Sequence, residues 1–150
     1  MPKTENDPLQ FFALFNEIGI IQQLSRTFFE ERLPNGLALP HFSVLNHLAR
    51  LGDSRTPMQI ATAFQVPKNS MTNTLSGLEK RGLIEVLPHP TDKRSKTIWL
   101  TDEGRQLRAE AMERVARDMG PVLPQMDPEE VASALSFLTH LREVLDKARD

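Results

Sequence analysis

Cysteine is absent from the 150-residue sequence, which excludes disulfides, thiolate metal sites and a cysteine nucleophile or peroxide sensor together. A reducing cytoplasm suits such a chain. Tyrosine is absent too, and no apolar run is long enough to span a bilayer. The opening residues Met1 to Pro8 are polar and lack the basic-then-apolar order of a secretory leader, so neither export nor membrane insertion is expected. The chain has no P-loop, no Gly-x-Gly-x-x-Gly and no Gly-x-Ser-x-Gly. Its four histidines form no ligand set: His41 and His47 lie six apart, on different faces of one helix, and His89 and His140 are isolated. An enzyme, a metal site or a bound cofactor is therefore not expected.

What is present describes a globular protein. With 39% apolar and 25% charged residues, the length fits one compact domain with its own core. The formal net charge of −2 conceals an uneven distribution. Residues 68–96 carry six basic groups (Lys68, Lys80, Arg81, Lys93, Arg94, Lys96) against three acids (Glu79, Glu85, Asp92), a net +3, while the remainder is −5. A positive segment on an acidic body binds phosphates locally and keeps the rest soluble.

Apolar periodicity predicts a first helix over 9–33, on Leu9, Phe12, Phe15, Ile18, Ile21, Leu24 and Phe28. Phe11, Leu14, Ile20 and Phe29 add apolar groups on its other faces, an excess that calls for a partner chain. Pro34-Asn35-Gly36 ends it. A second helix starts near Pro40, turns Phe42, Leu45, Leu48 and Leu51 inward, and stops at Gly52. Thr56-Pro57-Met58-Gln59 is a capping box opening a short third helix on Ile60, Ala61 and Phe64, which Gln65-Val66-Pro67 closes. The fourth runs from Lys68 to Arg81 with Met71, Leu75 and Leu78 inward and Gly82 as a left-handed cap. Two strands, 84–87 and 97–100, flank a polar, basic tip, with Trp99 facing outward. Thr101 caps a fifth helix on Leu107, Ala111, Val115 and Met119. Asp127-Pro128 starts a sixth with the stripe Val131, Leu135, Leu138, Leu141 and Leu145.

This order is a mainly α winged helix-turn-helix with a short β-hairpin wing, flanked by long terminal helices. From Leu39 to Gly104 the residues resemble the MarR family of bacterial transcriptional regulators. The resemblance is carried by Leu39-Pro-His-Phe-Ser-Val-Leu45, Thr56-Pro-Met-Gln-Ile-Ala61, Leu78-Glu-Lys-Arg-Gly-Leu-Ile-Glu85, Asp92-Lys-Arg-Ser-Lys96 and Leu100-Thr-Asp-Glu-Gly104. It implies one domain over 1–150: dimerisation helices 1–33 and 121–150, a winged core 39–104 and a connecting helix 101–120. It also implies a homodimer, usually a repressor, on a near-palindromic duplex site, since two-fold symmetry sets two recognition helices about one DNA turn apart.

The outward face of the fourth helix shows Lys68, Asn69, Ser70, Thr72, Asn73 and Ser76, short groups able to read base edges or hold phosphates. Family members often carry Arg at the positions of Asn73 and Gly77. In the wing, Arg94 resembles the arginine that enters the minor groove. Lys93 and Lys96 would contact phosphate, and Asp92 would hold an arginine by paired hydrogen bonds. MarR-like proteins often release DNA when a small aromatic or phenolic anion enters a cleft, here assigned to Phe15, His41, Phe42 and Arg50. The competing class is a winged-helix protein-interaction module that no longer binds DNA, but such a module has no reason to keep Lys93, Arg94 and Lys96 on one loop.

Overall fold

The computed structural model describes residues 5–149, with six α-helices and a two-stranded antiparallel sheet among them. The chain forms two compact units, one ending at Glu113 and the other beginning at Arg114. The larger holds α1 (Pro8–Glu30), α2 (Leu39–Leu51), α3 (Pro57–Phe64), α4 (Lys68–Lys80), β1 (Ile84–Pro88), β2 (Lys96–Leu100) and most of α5 (Asp102–Asp118). The smaller holds the end of α5 and α6 (Pro128–Lys147). No helix among the described residues is long and apolar enough to cross a membrane.

Local chemistry sets the helix boundaries. The Asp7 carboxylate accepts the Leu9 N–H at 2.9 Å, capping α1 ahead of Pro8. At the start of α3, Thr56 Oγ1 accepts from the Gln59 N–H (3.2 Å) while Gln59 Oε1 accepts from the Thr56 N–H (2.9 Å). Gln65 then takes a left-handed conformation at φ 56°, so the break between α3 and α4 needs no glycine. Gly82, at φ 70°, terminates α4. The Leu83 N–H returns to the Leu78 carbonyl at 3.1 Å, and Leu83 is buried against the core.

The core of the larger unit is built from α2, α3, α4 and the inner side of the hairpin. Leu45, Leu48, Ile60, Leu78 and Ile98 are its most enclosed large side chains. One expected core position moves outward: Leu51 is 54% exposed, whereas Val44, 1% exposed, takes a place inside. At about 100° per residue Leu51 falls just outside the buried arc, on the side opposite Phe42, and it is the last residue of α2. Val44 lies nearer the centre of the arc shared by Leu45 and Leu48.

β1 and β2 pair from Ile84↔Leu100 to Pro88↔Lys96. A third short segment adds to them: Arg55 bridges Ile98, with Ile98 N–H to Arg55 O at 2.8 Å and Ser54 N–H to Ile98 O at 3.0 Å. The chain preceding α3 is thereby tied to the wing. Trp99 faces outward, as expected, and its indole N–H donates to the buried Thr97 hydroxyl at 2.8 Å.

Neither α1 nor α6 has a buried residue. On α1, Leu9, Phe12, Ile21 and Leu24 are all more than half exposed; on α6, Val131, Leu135, Phe137, Leu138, Val144 and Leu145 face solvent. Among the described residues these two helices, of 23 and 20 residues, each carry a largely exposed apolar face.

Candidate nucleic-acid interface

α4 is amphipathic. Met71, Leu75 and Leu78 are buried, and Lys68, Asn69, Ser70, Thr72, Asn73 and Ser76 are all exposed. Pro67, at the N-cap, offers no side-chain acceptor, so the first amide donors of the helix face outward, the arrangement that receives a phosphate. The Thr72 hydroxyl donates to the Lys68 carbonyl at 2.9 Å, which leaves its oxygen as an acceptor. Thr74 makes the same bond back to Ser70 at 3.1 Å.

Gly77 is a packing position. A Cβ there would lie 2.9 Å from Nε2 of His41, whose Nδ1 accepts the Ala38 N–H at 3.1 Å. The ring thus caps the start of α2 with one edge and fills the space beside α4 with the other. An arginine at 77 has no room while His41 stands there. Burial, and then the charge of Arg81, lowers the His41 pKa below the ordinary 6.5.

The wing tip is closed by hydrogen bonds from His89 N–H to Ser95 O (3.3 Å) and Ser95 N–H to Asp92 O (3.1 Å). The Asp92 carboxylate accepts from the Arg94 backbone N–H at 3.0 Å and from its Nε at 3.4 Å. The Arg94 side chain is 93% exposed, and its two Nη groups have no protein partner among the described residues. Lys93 and Lys96 are exposed on the same tip. At the base of the wing, Asp53 accepts from the Leu100 N–H (2.7 Å) and from Arg105 (2.9 Å), tying β2 to the first turn of α5. Sequence reasoning missed Asp53 as it missed Ser54–Arg55; its position after Gly52 marks a turn and nothing more.

Of the four residues expected at an effector cleft, this chain brings Phe42 and Arg50 together. Phe15 lies 14 residues before Phe29, about 21 Å along a continuous helix, and Phe29 is the α1 ring that meets Phe42, at 5.9 Å. His41 is turned toward Gly77. Phe42 and Arg50 do share a cavity of about 280 Å³, but with Phe29, Asn46, His47 and Phe64. The His47 ring packs tilted against Phe64, 5.2 Å between centroids. Its pKa is lowered by burial, then by the charges of Arg55 and Arg50.

A family model described as MarR family matches residues 35–95, which span α2 through the wing tip. A cysteine-to-serine mutant of MarR from E. coli, crystallised with operator DNA, is 25% identical with a TM-score of 0.76, covering 88% of this chain and 95% of that one. The winged core thus matches the MarR family model, and the chain is similar in fold to MarR. Wild-type apo MarR from E. coli is 26% identical over 85% of this chain and 96% of its own, with a TM-score of 0.71. The transcriptional regulator BldR from Sulfolobus solfataricus shares the fold at 24% identity and a TM-score of 0.77, over 95% of this chain and 99% of that one. The chain therefore has the winged fold of these transcriptional regulators, one of which is seen on its operator.

Proposed function

We propose that this protein is a MarR-family, sequence-specific DNA-binding regulator that acts as a homodimer on a near-palindromic operator, where it represses transcription in the cytoplasm. The observation that carries the reading is the pairing, within one compact unit, of an exposed short-polar face on α4 with an exposed Arg94 on the wing. Asn69, Ser70 and Asn73 read base edges in the major groove, Thr72 and Ser76 accept from bases or bridge to phosphates, and Lys68 contacts the backbone. Arg94 enters the minor groove, held by Asp92, and Lys93 and Lys96 neutralise phosphates on either side. The solvent-facing apolar faces of α1 and α6 support the dimer, because a soluble chain rarely leaves such surfaces open.

The cavity of Phe29, Phe42, His47, Arg50 and Phe64 suits a small aromatic anion, its rings stacking and its carboxylate pairing with Arg50. Such an effector releases DNA only if it binds the DNA-free conformation more tightly. Benzoate and hydroxybenzoates should raise the operator dissociation constant of the wild type but not of Arg50→Ala; equal responses would remove the cavity from the mechanism.

The deciding experiment is fluorescence anisotropy of labelled duplexes from DNA upstream of the protein's own gene, against random duplex, across a salt series. Site-selective binding of one dimer per duplex that weakens steeply with salt supports the proposal. Absent or equally weak binding to both duplexes at low salt would replace it with a protein-interaction module.

A further inference from the structure

The wing tip contains a side chain that neither charge nor the DNA-binding reading accounts for. His89 follows β1, and its imidazole folds back over the tip. Nδ1 accepts the backbone N–H of Thr91 at 3.2 Å and that of Asp92 at 3.0 Å, with the Thr91 hydroxyl at 3.4 Å. A nitrogen receiving two amide donors is the unprotonated one, so the ring hydrogen sits on Nε2. Asp92 is thereby held at three points: its N–H by His89, its carbonyl by the Ser95 N–H, and its carboxylate by the Arg94 N–H and Nε. Because Nε of Arg94 is engaged, the pair of Nη groups is the part of the guanidinium left to project from the tip.

We infer that His89 is a positioning residue for Arg94: its Nδ1 is the acceptor that orders the tip and fixes where Asp92 holds the arginine. The inference rests on the proposal that the wing contacts DNA. Without the acceptor, the Thr91 and Asp92 amides turn to water, and the tip must be ordered at the moment of binding, which weakens the complex. The geometry names a substitute. Asn carries Oδ1 at the same number of bonds from Cα as His carries Nδ1, whereas the Gln oxygen is one bond further out.

The test measures operator affinity by anisotropy for His89→Ala, His89→Asn, His89→Gln, Arg94→Ala and the His89→Ala/Arg94→Ala double variant, each checked for an unchanged circular dichroism spectrum and melting temperature. Losing the two bonds should weaken His89→Ala and His89→Gln by about fivefold, while His89→Asn stays within about twofold of wild type. In the double variant, the His89 change should add almost nothing to the Arg94 loss, because the histidine acts through the arginine. The inference is overturned if Arg94→Ala weakens binding and His89→Ala does not, if His89→Asn is as weak as His89→Ala, or if the two losses simply multiply. Should Arg94→Ala itself bind normally, the wing reading fails first and takes this inference with it.

Discussion

Gly104→Ala should destabilise the protein by about 2–5 kcal/mol, although Ala is the better helix former. Gly104 lies in the first turn of α5, where its N–H donates to the Thr101 hydroxyl at 3.1 Å. A Cβ there would stand 2.2 Å from the Leu83 carbonyl oxygen, 3.1 Å from the Leu83 carbonyl carbon and 2.8 Å from Leu100 Cδ1. Leu100 can rotate, but the Leu83 carbonyl is backbone and already accepts the Thr101 N–H at 3.2 Å. The Thr101 hydroxyl further pins the junction by donating to the Gly82 carbonyl at 2.7 Å. Making room means lifting the first turn of α5 off the α4–β1 connection, stretching two or three hydrogen bonds worth about 1 kcal/mol each. Overpacking adds about 1–3 kcal/mol, offset by about 1 kcal/mol of helix propensity. Guanidinium unfolding followed by Trp99 fluorescence at fixed protein concentration measures the loss, with the slope unchanged if the mechanism is native-state strain. A stability within about 0.5 kcal/mol of wild type would refute the close backbone approach.

Four further outcomes are expected. Arg94→Ala should lower DNA affinity at least about tenfold without altering the melting curve, since its side chain is 93% exposed, and the dependence of affinity on salt should become shallower. Asn73→Ala should cost about 1–3 kcal/mol on the operator but little on random duplex, read by the same anisotropy titration. Phe12→Asp on α1 or Leu135→Asp on α6 should shift the protein from dimer to monomer in sedimentation velocity, with weakened operator binding; an unchanged dimer would separate these faces from assembly. His41 and His47 both have pKa values lowered below 6.5, so the folded state favours their neutral forms and the unfolded chain binds protons first. Stability should hold above pH 6.5 and fall as pH drops below it. His41→Asn, whose amide oxygen can still accept the Ala38 N–H, should flatten part of that fall in urea titrations at successive pH values.

Elements with strong local chemistry were legible in the sequence. The Thr56–Gln59 box, the Gly82 cap, the inward Met71, Leu75 and Leu78, and the strand pair meeting near Pro88 and Lys96 each depend on residues within a few positions of one another. What escaped depends on distance along the chain. Arg55 pairs with Ile98 across 43 positions, and Asp53 accepts from Leu100 across 47; an isolated bridge and a lone aspartate carry no period to detect. Apolar rings at helical spacing reveal which face is greasy but not which other helix meets it, so the sequence does not show that Phe42 and Arg50 share a cavity with Phe29, His47 and Phe64.

The exchange at Gly77 shows how packing limits a reading surface. Family members often carry arginine at this position and at that of Asn73, two cations one helical turn apart. Here His41 fills the space beside residue 77, with Nε2 2.9 Å from where a Cβ would begin. Restoring the arginine would therefore push the ring away, and the bond from Ala38 to Nδ1 that caps α2 would go with it. An arginine here would require His41 to move and would put its capping bond to Ala38 at risk. Nearby charge comes instead from Lys80 and Arg81, just past the α4 face, and Arg81 already donates to the Asn35 carbonyl at 2.7 Å. Under the proposed DNA-binding reading, α4 would read through the hydrogen-bonding groups of its first two turns, and electrostatic attachment would shift toward Lys68 and the wing. Such a protein should discriminate bases through Asn69, Ser70 and Asn73 while drawing an unusually large share of its salt-dependent affinity from Lys93, Arg94 and Lys96.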